Sequence, residues 1–336
     1  MTGALRMPPR AVIHVFGSLR PSGMERMMVS SAQYWTEAGW RVVIVGQGPD
    51  HPYGTDLEDS GFGVLSVDEV RSVTTLARWF RLVQRVRPDV VHIHVEGMHG
   101  PIALAARLAA PRARLVRTVH SVFRFPGRIR VTRTLQTMAF TLVGGESVAP
   151  SPDVARNERE YWGFKSTVIE NWVADEFQSD DAQSVRESGG DTTIAIVGNC
   201  SVIKNHAAVL RAVTDLNGVR VIHVGSESDM PEDERCLADD LDANGSLSRL
   251  GSRRDVKSIL AASDVYAMPS LHEGMGVSLA EALCVGTPAL ISDALGFSWA
   301  RDLPGVQVIP NSEWGAALPE LLRDPIWLSL LREAAW

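Results

Sequence analysis

The chain has 336 residues, 45% of them apolar and 22% charged, which is enough for two globular domains with cores of ordinary size. No apolar run approaches the roughly 18 residues that span a bilayer. Residues 1–6 lack a signal-peptide core, so the sequence favours a cytoplasmic protein over a membrane-spanning or secreted one. The scattered cysteines are expected to be reduced thiols and not a disulfide or metal framework: Cys200, Cys236 and Cys284.

Apolar runs alternate with helical patterns through the first half of the chain, as in a parallel α/β sheet. The loop from Gly17 to Gly23 is not a GxGxxG turn, and no acid ends the second apolar run, so a dinucleotide-binding fingerprint is not met. The sequence predicts strands at residues 11–16, 41–46, 89–95, 115–120 and 141–149, and helices at 24–38, 72–86, 101–109 and from Asp153.

The second half repeats this alternation after a polar segment without a pattern. Residues 178–192 predict a linker, and we place a first domain at residues 1–172 and a second at 173–336. In the second domain the sequence predicts strands at 193–198, 219–225, 265–268 and 289–291, and helices ending near 216, at 227–243, at 277–285 and within 314–336.

The formal net charge of −7 is divided unevenly between the halves. Residues 1–170 carry 21 Lys and Arg against 15 Asp and Glu, whereas residues 171–336 carry 12 against 25. This predicts an anionic partner for the first half: a phosphorylated acceptor, an anionic lipid surface at the inner face of the membrane, or the acidic second half. A solvated arginine face is the alternative. The window between Glu96 and Glu146 has no acid and eight arginines: Arg107, Arg112, Arg114, Arg117, Arg124, Arg128, Arg130 and Arg133.

The most informative stretch is residues 264–293, which predicts one strand–loop–helix–strand unit. Gly274 and Gly276 in its loop allow the backbone to approach a ligand closely, and the helix dipole would favour a phosphate there. Glu273 precedes the helix, and Glu281 lies about two turns further on. The two carboxylates could accept hydrogen bonds from hydroxyls on either side of a diphosphate, which is the layout of a nucleotide sugar. A capped helix with two solvated acids is the alternative. The N–H groups that would face the phosphate are those of Met275, Gly276 and Val277.

This stretch resembles the donor-site signature of the retaining glycosyltransferases of family 4, which have the GT-B fold. That fold consists of two Rossmann-like domains whose parallel sheets face an interdomain cleft. In the family a Glu, seven residues and a second Glu surround a Gly-rich turn, as Glu273 and Glu281 do here. The resemblance implies that Glu273 contacts the donor sugar and that Glu281 contacts the ribose. It also extends to residues 11–46, 87–120 and 194–206.

The same resemblance implies roles for three residues outside this stretch. His120, in the family's Thr-x-His pattern at a strand end, would hydrogen-bond the donor sugar near the reacting centre. Lys204 matches the lysine that neutralises the donor diphosphate. Asn199 stands in the donor site where the family has an arginine, which removes one cation beside the leaving group.

Weaker matches extend the expected donor site. Gly23 lies in Ser-Gly-Met-Glu, where the family usually has Gly-Gly-x-Glu, and is assigned to the donor side. The backbone of Ser252 and Arg253 would contact the nucleobase, by resemblance to a Leu-Gly-x-x-x-Asp-Val turn. Arg253 or Arg254 could also compensate for the missing arginine.

The resemblance implies a glycosyltransferase that moves a sugar with retention from a nucleoside-diphosphate sugar, by default UDP-linked, to an acceptor hydroxyl in glycan, glycolipid or secondary-metabolite biosynthesis. A sugar-nucleotide 2-epimerase of the same fold and a non-catalytic sugar-nucleotide-binding protein are the alternatives. His92, His94 and Glu96 share a strand face and permit a metal site. We expect neither a metal nor a cofactor, since no Asp-x-Asp motif is present and the family uses no metal at this strand. The arginine window lacks a nucleic-acid-binding motif, so no nucleic acid is expected.

Overall fold

The computed structural model describes residues 10–69, 72–178 and 190–335. It divides the chain into two compact units: unit 1, Met1–Pro150 with Ala155–Ile169, and unit 2, Ser151–Val154 with Glu170–Trp336. Most of the predicted linker, residues 179–189, lies outside the described residues, and Thr192 already belongs to a strand. Among the described residues, no helix is both long and apolar enough to cross a membrane.

Unit 1 is built on a seven-stranded parallel sheet. Its strands are β1 (Arg10–Phe16), β2 (Trp40–Gln47), β3 (Gly63–Val67), β4 (Val90–Ile93), β5 (Arg114–Thr118), β6 (Gly145–Ala149) and β7 (Thr167–Val168). The helices are α1 (Gly23–Glu37), α2 (Gly54–Asp59), α3 (Val73–Val86), α4 (His99–Ala109), α5 (Gly127–Leu142) and α6 (Pro152–Asn157), which continues as a π-helical turn, Glu158–Trp162. The strand order is β3-β2-β1-β4-β5-β6-β7.

Alternating side chains bury both faces of this sheet. Ile13 and Val15 of β1 contact one apolar cluster, whereas Val12 and Phe16 contact another. The strand order reverses between β1 and β4, because the chain builds outward from β1 in both directions. In open parallel sheets, ligands bind beyond the carboxyl ends of the strands at such a reversal.

One predicted strand of unit 1 is half wrong. Thr141 and Leu142 end helix α5, and only Gly145–Ala149 of the predicted 141–149 forms a strand. The sequence pattern did not predict helix α5, because the buried positions of this helix include polar residues. Arg133, Thr137 and Phe140 recur at helical spacing and face the interior, so the apolar 3.6-residue repeat is interrupted.

Unit 2 has a six-stranded parallel sheet in which the predicted alternation is confirmed. Its strands are β8 (Thr192–Val197), β9 (Val219–Val224), β10 (Leu247–Arg249), β11 (Val265–Met268), β12 (Ala289–Ser292) and β13 (Val306–Ile309). Its helices are α7 (Ala207–Val213), α8 (Glu232–Ala243), α9 (Val256–Ala262), α10 (Val277–Cys284), α11 (Trp314–Arg323) and α12 (Pro325–Ala335). The order β10-β9-β8-β11-β12-β13 reverses between β8 and β11. The two Rossmann-like α/β domains expected from the sequence are therefore present.

Candidate functional site

The chain reversal of unit 2 brings a lysine and a glutamate into contact. Lys204 lies in the loop after β8 and Glu273 in the loop after β11, and Lys204 Nζ lies 2.6 Å from Glu273 Oε1. Ser270 Oγ donates to the same carboxylate oxygen over 2.8 Å. The side chains of Lys204 and Glu273 are 26% and 13% exposed, so the pair is shielded from water but reachable. The alternative of a solvated acid at position 273 is therefore wrong.

Backbone contacts between the two loops hold this pair in place. Leu271 N donates to the carbonyl of Ile203 over 2.8 Å, and Asn205 Nδ2 donates to the carbonyl of Pro269 over 3.1 Å. Lys204 also crosses Gly198, where an added Cβ would lie 3.6 Å from Lys204 Cε. Because the loops are bonded to each other next to the ion pair, the positions of the ammonium and the carboxylate are set by the backbone.

Glycine opens the helix that follows Glu273. Gly276 has φ +77° at the start of α10, and an added Cβ would lie 3.0 Å from Phe297 and 3.2 Å from Met268. Gly274 and Met275 are buried, and the carbonyl of Gly274 accepts a hydrogen bond from Ser151 Oγ over 2.5 Å. The loop therefore enters the helix in one conformation, with the first N–H groups of the helix unpaired within α10, as in an anion site.

The second carboxylate of the predicted motif is inside the helix. Glu281 lies one turn into α10 and is 5% exposed. Neither acid of the Glu–x7–Glu pair is thus solvated: Glu273 lies in the loop after β11, and Glu281 lies inside the helix that this loop enters.

Two of the residues that were expected at the donor site, Asn199 and Arg253, have other partners. Asn199 Oδ1 accepts a hydrogen bond from the backbone N of Ser226 over 2.8 Å, so Asn199 joins the loops after β8 and β9. Arg253 makes two hydrogen bonds of 2.8 Å with Asp255 at the surface, and Ser252 is exposed beside it. An anion that binds Arg253 has to compete with Asp255.

The chain reversal of unit 1 carries histidines instead of an ion pair. His14 Nδ1 lies 2.9 Å from His94 Nε2, and His94 Nδ1 lies 2.9 Å from His120 Nε2. His92 Nε2 bonds Thr118 Oγ1 over 2.7 Å. Burial lowers the pKa of His14 to about 3 and that of His120 to about 4, so these imidazoles are neutral at neutral pH. His120 thus ends a hydrogen-bonded row of three rings at the carboxyl edge of the sheet.

Glu96 does not join His92 and His94 in a metal site. Its carboxylate lies 2.5 Å from Arg117 Nη2 and 2.5 Å from Arg133 Nε. Arg133 Nη2 bonds Glu158 over 2.8 Å. Nitrogen atoms of His14, His92 and His94 do lie within 4.8 Å of one another, but two of these rings are hydrogen-bonded to each other.

Part of the arginine window is therefore internal. Arg117 and Arg133 are buried around Glu96, and Arg107 donates to the carbonyls of Pro111, Ala113 and Val143. A solvated face is therefore wrong for Arg117 and Arg133, whereas the anionic partner of the first half stays a prediction. Arg128 and Arg130 are exposed on α5.

Gly23 is the first residue of α1, two residues before Glu25, the acid of the Ser-Gly-Met-Glu motif. Ser22 Oγ accepts from Met24 N over 3.2 Å and bonds Glu25. Glu25 is buried, and burial raises the pKa of its carboxyl to about 7. Near this helix start, a cavity of about 590 Å³ lies beyond β1, β2 and β4, and is lined by residues that include Gly17, Arg20, Gly48, Asp50 and Met98.

Two family models match consecutive segments of the chain. The family model described as Glycosyltransferase Family 4 matches residues 21–177, and the model described as Glycosyl transferases group 1 matches residues 177–300. The chain belongs to the family 4 glycosyltransferases with this pair of domains.

Curated relatives match a part of the chain. A D-inositol 3-phosphate glycosyltransferase of Mycobacterium marinum is 34% identical over 162 residues, which are 44% of this chain and 35% of the relative. Its counterpart in Mycobacterium tuberculosis is 31% identical over 163 residues, 44% of this chain and 34% of that protein. The matched segment thus spans about a third of the length of these relatives.

Solved structures share the fold along nearly the whole chain. The Anabaena protein HepE in complex with UDP-glucose has a TM-score of 0.79 at 16% identity, over 97% of this chain and 93% of that chain. A glycosyltransferase from Rickettsia africae has a TM-score of 0.78 at 16% identity, over 98% and 93%. At these identities the likeness confirms the fold, that of the GT-B glycosyltransferases.

Proposed function

We propose that the protein transfers a glycosyl group from a nucleoside-diphosphate sugar, with UDP as the default nucleotide, to an acceptor hydroxyl. The observation that carries this proposal is the Lys204–Glu273 ion pair beside the N-terminus of α10, at the chain reversal of unit 2. This arrangement provides a cation, a helix N-terminus that can bind a diphosphate, and a carboxylate that can accept hydrogen bonds from hydroxyls. The family membership and the UDP-glucose complex of HepE support the same donor class.

In the proposed mechanism the positive groups act on the leaving diphosphate. Lys204 and the N–H groups of Met275, Gly276 and Val277 stabilise the charge that develops as the bond from the anomeric carbon to the phosphate oxygen breaks. When a donor phosphate binds Lys204, it replaces Glu273 as the partner of the ammonium. The carboxylate of Glu273 is then available to accept hydrogen bonds from sugar hydroxyls. Glu281 accepts from the ribose hydroxyls.

We propose that the transfer retains the configuration at the anomeric carbon. The acceptor oxygen forms its bond on the face from which the diphosphate departs, and the acceptor proton passes to a leaving phosphate oxygen. His120 offers a neutral imidazole to a hydroxyl of the transferred sugar. The positive groups in this scheme are the ammonium of Lys204 and the N-terminal end of the helix dipole, so the mechanism requires no metal.

A thermal-shift panel of nucleotides and nucleotide sugars tests the donor. A ligand that binds the folded state raises the melting temperature, so a shift with one base and one sugar identifies both.

Glu281→Ala should weaken binding of UDP itself, whereas Glu273→Ala should reduce turnover more than UDP binding. Full activity in both variants would contradict the assignment. Conversion of a nucleotide sugar alone into an epimer would indicate the 2-epimerase, and binding without turnover on any acceptor would indicate a binding protein.

On the acceptor side we infer that unit 1 rests on an anionic lipid surface. Helix α5 exposes an apolar stripe of four residues at helical spacing, with no acid on the helix and with Arg128 and Arg130 near its start. Helix α4 packs against α5 at Gly100, where an added Cβ would lie 2.8 Å from the carbonyl of Gln136. It adds exposed Leu104 and Leu108. The stripe on α5 consists of Val131, Leu135, Met138 and Leu142, which are 60%, 59%, 46% and 83% exposed.

Sedimentation with vesicles tests this surface. We expect binding to vesicles that contain phosphatidylglycerol, and weaker binding to pure phosphatidylcholine, because each arginine near an anionic surface contributes about 1 kcal/mol. Leu135→Glu should lower binding roughly tenfold, since it removes apolar contact and adds repulsion. Val73→Glu is the matched control, because Val73 is 85% exposed on a different helix. Equal binding of both variants would refute the inference and leave a soluble phosphorylated acceptor.

A further inference from the structure

Unit 2 contains a buried cluster of a thiol and two imidazoles behind the loop that carries Lys204. Cys200 Sγ lies 3.6 Å from His206 Nδ1 and 3.5 Å from His223 Nε2, and the three atoms all lie within 4.8 Å of one another. Cys200 is 2% exposed and each histidine 4%. The proposed donor site uses none of these side chains.

A carboxylate completes the cluster. Glu234 of α8 is 1% exposed, and its Oε1 lies 3.9 Å from His206 Nδ1. Within the described part of the chain, no donor lies in hydrogen-bond geometry to this buried oxygen, and the carboxylate interacts with the thiol of Cys200, a member of the same cluster. Oε2 accepts from Ala207 N over 3.3 Å. A buried carboxylate oxygen without a partner is costly, which indicates that a positive group belongs beside it.

The surroundings of His223 fit a metal ligand. His223 Nδ1 lies 3.4 Å from Glu227 Oε1, and Arg249 holds that carboxylate in two hydrogen bonds of 2.9 and 3.1 Å from its Nε. These bonds lower the pKa of Glu227, so its charged form persists and favours the proton on Nδ1. Nε2 then keeps its lone pair, the arrangement of a carboxylate–histidine–metal triad. The competing state has the proton on Nε2, which lies 3.0 Å from the carbonyl of Gly198.

We propose that Cys200, His206, His223 and Glu234 bind one Zn²⁺ ion. Zinc favours four tetrahedral ligands of this kind, at about 2.3 Å for sulfur and about 2.0–2.1 Å for nitrogen, which places sulfur and nitrogen about 3.5 Å apart. The two observed sulfur–nitrogen distances match this value. A thiolate with two imidazoles selects zinc over magnesium or calcium, which prefer oxygen ligands.

Zinc binding displaces the proton of the Cys200 thiol. Burial, followed by the charge of Glu234, raises the pKa of the Cys200 thiol, so without a cation the sulfur keeps its proton. Burial lowers the pKa of His206, which keeps its imidazole neutral and ready to donate a lone pair. The cation replaces the thiol proton, which passes to solvent, and the thiolate binds.

The ion would tie three elements together. Cys200 and His206 belong to the loop that carries Lys204, His223 to β9 and Glu234 to α8. Zinc is thus a structural ion that positions this loop, and its binding does not depend on the proposed activity. The sequence pattern did not predict this site, because the ligand spacings of 6, 17 and 11 residues match no zinc motif.

Cobalt substitution tests the site in the full-length protein without a histidine tag. After removal of metal with a chelator, one equivalent of Co²⁺ should give the visible bands of tetrahedral cobalt and a thiolate-to-cobalt charge-transfer band, which Zn²⁺ abolishes. Cys200→Ser should remove the charge-transfer band, whereas the exposed-cysteine control, Cys236→Ser with Cys284→Ser, should keep it.

Two further measurements avoid reliance on a ligand variant that fails to fold. Glu227→Gln, which leaves all four ligands, should weaken zinc binding about 10- to 100-fold. Zinc at 100 times its dissociation constant should raise the melting temperature of the wild-type protein by on the order of 5 °C. The proposal fails if the wild-type protein shows no charge-transfer band at one equivalent, or if the band depends on Cys236 or Cys284.

Discussion

The strand order reverses once in each of the two sheets, and the two sites of reversal have the same topology but different side-chain chemistry. In unit 1 the reversal between β1 and β4 carries a row of neutral imidazoles, His14, His94 and His120. In unit 2 the reversal between β8 and β11 carries a partly exposed pair of full charges, Lys204 and Glu273. The parallel sheet thus determines where a ligand can bind, whereas the loops determine which ligand chemistry each unit offers.

Unit 1 also contains a network of charged side chains, but these side chains are buried and contact one another. Although burial alone would raise it, Arg117 and Arg133 hold the pKa of Glu96 below its usual value. Burial outweighs the attraction of Arg133 at Glu158, where the pKa is raised. Because two buried arginines share the carboxylate of Glu96, the role of this network is structural, while the partly exposed Lys204–Glu273 pair can exchange partners with a ligand.

The largest expected effect follows from breaking the buried network of unit 1. Glu96→Gln leaves Arg117 and Arg133 without their shared carboxylate, and we expect a loss of about 3–5 kcal/mol in the free energy of unfolding, measured in urea. Glu146→Gln is the control, because the Arg114–Glu146 pair is 70% and 64% exposed and should contribute at most about 1 kcal/mol. Similar losses in both variants would show that the network is no more important than a surface pair.

Removal of Lys204 tests the other side of the comparison. We expect Lys204→Ala to lower kcat/KM roughly 10²- to 10³-fold with little effect on folding, because a cation that stabilises the leaving group is lost. Lys165→Ala, an exposed lysine of unit 1, serves as the control. If Lys204→Ala kept its activity but unfolded more easily, the ion pair with Glu273 would be structural, like the network of unit 1.

Sequence reasoning located the central strands of both sheets and the unit 2 loops, because apolar runs and glycine-rich punctuation are local signals. It did not predict the short or less apolar strands β3, β7, β10 and β13. It missed helix α5, whose interior is formed by Arg133 and Thr137, since these residues are identified as buried only when Glu96 and His99 are seen beside them. The same holds for Asn199, whose bond to Ser226 joins two loops 27 residues apart. Partners distant in sequence decide such sites, and no spacing rule records them.

Glu25 provides a pH-dependent test within unit 1. The folded protein keeps its proton up to about pH 7, whereas the unfolded chain releases it near 4.5, so this residue makes the free energy of unfolding fall as pH rises between these values. Glu25→Gln should therefore stabilise the protein by up to roughly 3 kcal/mol at pH 8 relative to its effect at pH 4. Glu37→Gln, at the exposed end of the same helix, should show no such change. A pH-independent difference for Glu25→Gln would contradict the buried, protonated carboxyl.

The smallest expected effect concerns the neutral imidazoles. We expect His120→Asn to lower turnover roughly 10- to 100-fold, the cost of one buried hydrogen bond, while the affinity for UDP stays unchanged. Since burial lowers the pKa of His120 to about 4, the wild-type rate should show no break from this residue near pH 6.5. His92→Asn is the matched control, because His92 bonds Thr118 outside the row of three rings. Equal losses in both variants would mean that the histidines support the fold, and unit 1 would then contribute no imidazole to the chemistry.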